Sequence, residues 1–447
     1  MTGREHNQLT RRDFLSAAAT AAGLAAAPAF PYLLGPGVLP ARGQAAPADR
    51  ITVALVGVGG MGGGHLGNLL AFRQAGSVHL AAVCDVDEKR LAAAVKKAGP
   101  GVTPYRDYRY ILQRQDVDAV VFATPDHWHA VQTVHACQSG KHVYVEKPAS
   151  CTVAEGKAMV AAAAEAKRVV QVGSQARSAK PAHDACTYIR NGMIGRVTQV
   201  TCWHDPNPVG GTAPDSAPPG DLDWDLWLGP LPWRPYNPAY LPGAFRWMME
   251  SGGGVIRDRG AHVFSIALWC MDADRQWPVT VEAVGTPPPR GIWDCPPRME
   301  VTYTFKDPDW QLVWSQPGKP QGPGGFGLVF HGEKDSLIVC RDGTRIDAAE
   351  KARTFQAPAG GVRVYRMDKH ADYNMNHKED WFAAIRTGGK PCMDIQTGHR
   401  VATMCNLGNL SYLLGRKLTW DGVKQEVAAD PGANRLLSRP QRHPYVL

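Results

Sequence analysis

The sequence predicts an α/β protein with a doubly wound parallel sheet in its N-terminal half. An α+β domain with a mostly antiparallel sheet is predicted to follow. Three observations carry this. An apolar run of strand length, Ile51–Val56, leads into a glycine-rich turn, Gly57 to Gly62, and then into a helical stretch reaching Ala75. Apolar runs and helical stretches then alternate as far as Val172, the pattern of parallel strands joined by crossover helices. From Val279 onward, short β-rich runs separated by turn residues replace that alternation, as in an antiparallel sheet.

Taken in order, the second strand is Val78–Cys84, ending at Asp85. A short helix near Tyr108–Gln113 precedes the fourth strand, Ala119–Ala123. Helix His127–Ser139, strand His142–Val145, helix Val153–Ala166 and strand Val169–Val172 complete the first sheet. The second half opens with helix Lys180–Arg190 and strand Arg196–His204. A Pro-, Gly- and Trp-rich stretch, Asp205–Gly254, comes next, and a structureless stretch of that length is more often functional than idle. An apolar helix Val263–Met271 follows. Strands at Val279–Ala283, Met299–Phe305, Gln311–Gln316, Gly327–His331 and Ser336–Cys340 lead to closing helices Asn376–Thr387 and Gly398–Leu414. The organisation expected is a leader over 1–45, a dinucleotide-binding domain over 46–175 and a substrate and oligomerisation domain over 176–447.

Composition narrows the function. The 447 residues are 44% hydrophobic and 20% charged, enough for a large core. The net charge of +8 (49 basic, 41 acidic) is spread without a Lys/Arg block, which argues against a nucleic-acid partner. The ten Cys show neither a CxxC pair nor ligand-like clustering, so no metal site and no disulfide framework is expected. At the N-terminus, Thr10-Arg11-Arg12-Asp13-Phe14-Leu15 has the twin-arginine form, with an uncharged Ala/Leu-rich run to about Pro40 and a small-residue cleavage site at Gly43-Gln44-Ala45. The first Cys is Cys84, so none ends that run to accept a lipid. The expectation is a protein exported folded by the twin-arginine machinery, periplasmic or secreted, with no stable membrane anchor.

Candidate chemistry sits at the C-terminal ends of the first sheet's strands, where such sheets bind ligands. Gly57 permits the tight turn, Gly59 lets backbone approach a pyrophosphate, and Gly62 lets the helix pack on the strand. Asp85 stands where a carboxylate meets the ribose hydroxyls. It would repel a 2′-phosphate, so NAD is preferred over NADP; its alternative is a helix-capping or solvated acid. Lys147, in Glu146-Lys147-Pro148 at a strand end, is a candidate to exchange a proton with a carbinol, against the plainer reading of a surface lysine. His127 and His129 suggest capping, packing or cofactor contact rather than metal ligation. Asp258 and His262 lie four apart and form a candidate acid/base pair, Asp258 fixing the imidazole's tautomer; a capping Asp beside an unrelated core His is equally compatible. The Trp-rich stretch could stack on a sugar ring.

On Val53–Gly62, Val83–Asp85, Asp118–His129, Gly140–Pro148 and Gly252–His262, the sequence resembles the glucose–fructose oxidoreductase / inositol dehydrogenase (Gfo/Idh/MocA) family. The resemblance implies a Rossmann domain plus a mostly antiparallel, open-faced sheet that often forms an oligomer interface, so a dimer or tetramer is expected. It implies Lys147, Asp258 and His262 as catalytic residues. The cofactor contacts expected are Gly57, Gly59, Gly60, Met61, Gly62, Asp85, Thr124, Pro125, His129, Glu146, Lys147 and Gln175. Many members carry an acid three residues after the motif His, where this chain has Ser265. The function expected is an NAD-dependent oxidoreductase acting on a secondary hydroxyl of a sugar, polyol or sugar derivative, with a retained cofactor. The alternatives are an NAD-dependent glycoside hydrolase or lyase working by transient oxidation, and a non-catalytic nucleotide-binding protein.

Overall fold

The computed structural model describes residues 50–447 except 323, 343, 344, 365 and 366; the twin-arginine segment lies outside the described residues. Strands β1 (Ile51–Val56), β2 (Val78–Cys84), β3 (Thr103–Tyr105), β4 (Ala119–Phe122), β5 (His142–Glu146) and β6 (Val170–Gly173) form a sheet ordered β3-β2-β1-β4-β5-β6. Every pairing in it is parallel. Helices cover both faces, which is why β1, β4 and most of β2 and β5 are buried along their whole length instead of alternating. The order reverses between β1 and β4, opening a crevice at their C-terminal ends.

The second sheet has nine strands, ordered β13-β12-β11-β7-β10-β9-β8-β14-β15. They are β7 (Val197–His204), β8 (Thr280–Thr286), β9 (Arg298–Phe305), β10 (Trp310–Gln316), β11 (Phe326–Gly332), β12 (Ser336–Asp342), β13 (Arg345–Ala348), β14 (Leu418–Asp421) and β15 (Glu426–Val427). Only β7–β10 pairs parallel; the other pairings are antiparallel. Burial alternates along β9 and β10, so one face is packed and the other open. Helices Lys180–Arg190, Ala261–Cys270 and Ile395–Leu414 lie on the packed face.

The Asp205–Gly254 stretch contains only short helical turns: Trp224–Leu228, Pro238–Tyr240 and Ala244–Trp247. Its aromatic residues form a small core of their own, Trp224, Trp227, Tyr236 and Phe245, with the two indoles stacked at 4.9 Å. The sugar-stacking platform expected there is thus in large part interior packing. Helix Tyr373–Thr387 returns to the first sheet, where Trp381 and Phe382 join the cluster of Val53, Leu69, Phe72 and Val83. No helix among the described residues is long and apolar enough to cross a membrane. All ten cysteines are free.

Candidate active site

A cavity of about 1040 Å³ runs along the C-terminal ends of β1, β2, β4 and β5 and reaches helix Ala261–Cys270 of the second half. It is large for a single small ligand. One end is framed by the glycine turn. Gly57 has φ +82°, and a side chain there would meet the Ala123 carbonyl oxygen at 2.7 Å. A Cβ at Gly62 would sit 1.9 Å from the Gly57 oxygen, so the turn and the helix Gly60–Gln74 close only on glycine. Gly60 has open space before it. Met61 is exposed at the helix start, where amides face the cavity.

Asp85 lies beside this turn. Its Oδ2 accepts from the Val58 amide at 2.8 Å and its Oδ1 from Asp87 N at 3.0 Å. Burial pushes its pKa up, against the pull of those amides. Arg90 reaches over Gly59: a Cβ there would lie 2.7 Å from Arg90 Nη1, while Arg90 Nε sits 3.3 Å from Asp87. The sequence reading missed Arg90, although its place one helical turn after the Asp87 cap made it findable. Open backbone at the turn, a helix N-terminus and an acid at the end of β2 fit a dinucleotide.

At the other end, Thr124, Pro125 and His129 line the cavity after β4. Thr124 Oγ1 donates to Gln132 Oε1 at 2.7 Å. The two ring nitrogens of His129 lie 2.7 Å from the Pro148 carbonyl and 2.9 Å from the Thr124 carbonyl, tying the loops after β4 and β5 together. His127 donates to the Trp227 carbonyl at 3.0 Å. Both histidines thus tie loops together, and His129 does so from the cavity wall; no metal-binding cluster occurs among the described residues.

Lys147 follows Glu146 at the end of β5. Its Nζ lies 2.5 Å from Asp258 Oδ1, with only 10% and 7% of the two side chains exposed. Arg246 Nε stands 3.2 Å from Asp258 Oδ1 and Arg259 Nε 3.3 Å from Oδ2. Burial would raise the Asp258 pKa, but Lys147, Arg246 and Arg259 together hold it well below the usual carboxylate range. Asp258 was expected to orient His262. Ile256–Gly260 forms a π turn ahead of helix Ala261–Cys270, and in it the carboxylate is held by three cations. His262, buried, lines the same cavity as Lys147.

Behind this end, buried Glu146 accepts from His65 Nε2 at 2.8 Å and from Gln175 Nε2 at 2.6 Å. Burial raises its pKa, but His65, Lys147 and Lys378 reverse the direction and lower it. Gln175 also donates to Tyr144 Oη at 3.0 Å. Lys378, from the returning helix, is fully buried, and burial brings its pKa down to about 8. Ser265, where an acid was sought, is buried and accepts from Arg177 Nε at 2.8 Å, so the position is a packing contact. Sequence reasoning missed Arg246, Arg259 and Lys378; Arg259 alone had a signal, lying next to Asp258.

Comparison with known proteins agrees with this geometry. Residues 51–174 match a family model described as "Oxidoreductase family, NAD-binding Rossmann fold", and residues 195–313 and 362–447 its C-terminal alpha/beta domain. Inositol 2-dehydrogenase of Rubrobacter xylanophilus is 34% identical over 159 residues, which are 35% of this chain and 44% of that protein. A glycosyl hydrolase family 109 protein of Shewanella pealeana is 29% identical over 209 residues, 42% of this chain and 44% of that protein. The chain thus spans less than half the length of these curated relatives. Among solved structures, the WlbA dehydrogenase from Bordetella pertussis, in complex with NADH and UDP-GlcNAcA, superposes with TM-score 0.61 at 20% identity, covering 83% of this chain and 99% of that one. Aldose–aldose oxidoreductase from Caulobacter crescentus gives 0.57 at 21%, covering 83% and 99%. With both halves matched by its models, the chain belongs to the Gfo/Idh/MocA oxidoreductase family, whose NAD-binding Rossmann fold it carries.

Proposed function

We propose that the protein is an NAD-dependent oxidoreductase acting on a secondary hydroxyl of a sugar, polyol or sugar derivative. The observation that carries this is the Lys147–Asp258 ion pair: it joins the two halves of the chain inside one cavity that also holds His262 and the glycine turn. In this reading Gly57–Gly62, Asp85, Thr124, Pro125, His129, Glu146 and Gln175 would hold NAD, which their common lining of one cavity supports. When bound, NAD supplies the acceptor for the hydride of the carbinol C–H bond. Lys147, held against Asp258, donates a hydrogen bond to the carbinol oxygen, and His262 takes the hydroxyl proton. Asp258 holds Lys147 in position.

Retention of the cofactor is part of the proposal. The Trp-rich segment is stitched to the loop after β2, with Asp223 N donating to the Val86 carbonyl at 3.0 Å and Glu88 N to the Asp221 carbonyl at 2.9 Å. It is also stitched to the loop after β4, where Trp128 Nε1 donates to the Leu226 carbonyl at 3.0 Å. The segment therefore roofs the groove from one end to the other. A roofed cofactor suits a protein exported folded through the twin-arginine machinery to the periplasm or beyond, where a second substrate would recycle it. We also propose that the open sheet face makes a homo-oligomer.

The test is to purify the protein, release and identify its nucleotide, and screen sugars for reduction of that nucleotide in place. Protein that holds no nicotinamide and binds none on addition would overturn the proposal. The similarity to a family 109 glycosyl hydrolase favours one second reading, glycoside cleavage through transient oxidation without net redox change. Free sugar released from glycosides with no oxidant added would establish it.

A further inference from the structure

The substrate end of the cavity is balanced in charge. Lys147, Arg246 and Arg259 face three carboxylates there, those of Asp126, Glu146 and Asp258. Lys378 lies behind that end, in the field of Asp372. A charged ligand would upset this balance in a partly dry space, whereas a neutral one keeps it.

The three carboxylates are not equally satisfied. Asp258 has three cations within 3.3 Å, and Glu146 accepts from His65 and Gln175. Asp126, which begins the turn Asp126–Trp128 after β4, is only 5% exposed, and its buried Oδ2 has no hydrogen-bond partner among the described residues. It lines the cavity, and the charges acting on it are those of His129, Arg246, Lys147 and Asp258, so it belongs to the end where Lys147 and His262 stand. An acceptor buried without a donor is costly. Rotation about χ2 brings either carboxyl oxygen to the cavity, where a ligand hydroxyl supplies the missing donor and leaves the charge balance intact.

We propose that Asp126 accepts a hydrogen bond from a second hydroxyl of the substrate, one that is not oxidised, and so selects a neutral polyhydroxylated ring over sugar acids, amino sugars and sugar phosphates. The carbinol hydroxyl faces Lys147 and His262, and Asp126 fixes the ring by another. A site built to bond a hydroxyl rejects the analogue that lacks it, because its own buried polar group is then left unpaired. The inference rests on the oxidoreductase reading of the same site.

The test uses the purified protein with its nucleotide bound. Glucose, galactose, mannose and myo-inositol are set against glucosamine, glucuronate and glucose 6-phosphate by equilibrium binding, with nucleotide reduction followed in parallel. The best-bound sugar should be neutral and about tenfold or more ahead of each charged one. Asp126→Asn should weaken its binding by about tenfold or more, the loss of a charge-assisted bond, and should move preference toward glucuronate by leaving a positive surplus. One monodeoxy analogue of that sugar should bind weakly and equally to the unaltered protein and to Asp126→Asn, which identifies the hydroxyl in contact. The sugar-free Tm should not fall, as it would for a residue that holds the fold together; Asp126→Ala carries the same comparison if the amide variant fails to fold. Tighter binding of a charged sugar, failure of every neutral sugar to bind, or neutral-sugar binding that the substitution leaves unchanged would overturn the inference. Neutral-sugar binding that depends on Asp126, without nucleotide reduction by any sugar, would instead uphold the hydroxyl contact and sink the redox reading.

Discussion

At the scale of residues, the site depends on how one carboxylate is shared. Lys147→Ala should lower kcat by about 10²- to 10³-fold, the range for losing one hydrogen-bond donor to an oxygen that gains negative charge, while the nucleotide stays bound. Steady-state rates beside nucleotide content check this; undiminished turnover would remove Lys147 from the chemistry. Asp258→Asn should be the more damaging change, because it leaves three cations together without their counter-charge. Loss of a partner from a buried ion cluster costs about 3–5 kcal/mol, readable in denaturant unfolding. The sign with pH follows: the folded pKa of Asp258 is depressed, so its contribution is present above the ordinary carboxylate pKa and disappears as pH falls below it. Lys147 and Asp85 were legible in the sequence because strand ends and fixed spacings mark them. Arg246 was not, since it comes from an irregular segment whose path no periodicity encodes.

At the scale of elements, the roof over the groove turns on Gly229, which ends the turn Trp224–Leu228 at φ +52° where the Trp128 indole leaves no room for a side chain. Gly229→Ala would bring a methyl group within 2.2 Å of that ring in a backbone conformation unsuited to alanine. The segment must lift, and bound nucleotide should then leave about tenfold faster, a shift of about 1.4 kcal/mol. Nicotinamide fluorescence after dilution reads this; an unaltered release rate would show that the roof does not hold the cofactor. The sequence placed most strands and helices within a few residues. It left β3 unplaced because Thr103–Tyr105 is a three-residue edge strand with a proline at its centre, and edge strands tolerate what propensity forbids. Strands β13 to β15 escaped because two to four residues carry too short an alternation to register.

At the scale of the whole molecule, buried neutral histidines set the response to acid. Burial holds His127 and His377 down to about 3 and His399 to about 4, all below the ordinary value of 6.5. Between pH 6.5 and about 4 the unfolded chain binds protons that the folded one refuses, so stability is lost as pH falls. The slope is about 1.4 kcal/mol per pH unit for each such group. Thermal melts from pH 7 to 4 should show Tm dropping steeply, and His127→Gln should flatten the fall; parallel curves for the two proteins would contradict the assignment. Of the overall design, the parallel and antiparallel halves were readable from periodicity. What lay beyond reach was the return of Tyr373–Thr387 to the first sheet, since an amphipathic helix shows that it has an apolar face and says nothing about which distant surface covers it.

That returning helix constrains any attempt at recombination. Trp381 and Phe382 supply part of the wall against which Phe72 and Val83 pack, and Lys378 reaches the interior behind Glu146. A chimera that swaps in a foreign nucleotide-binding half, joined near residue 175, would therefore inherit a mismatched lining and a stranded buried ammonium. The transferable module is discontinuous: the first half has to travel together with its distant helix.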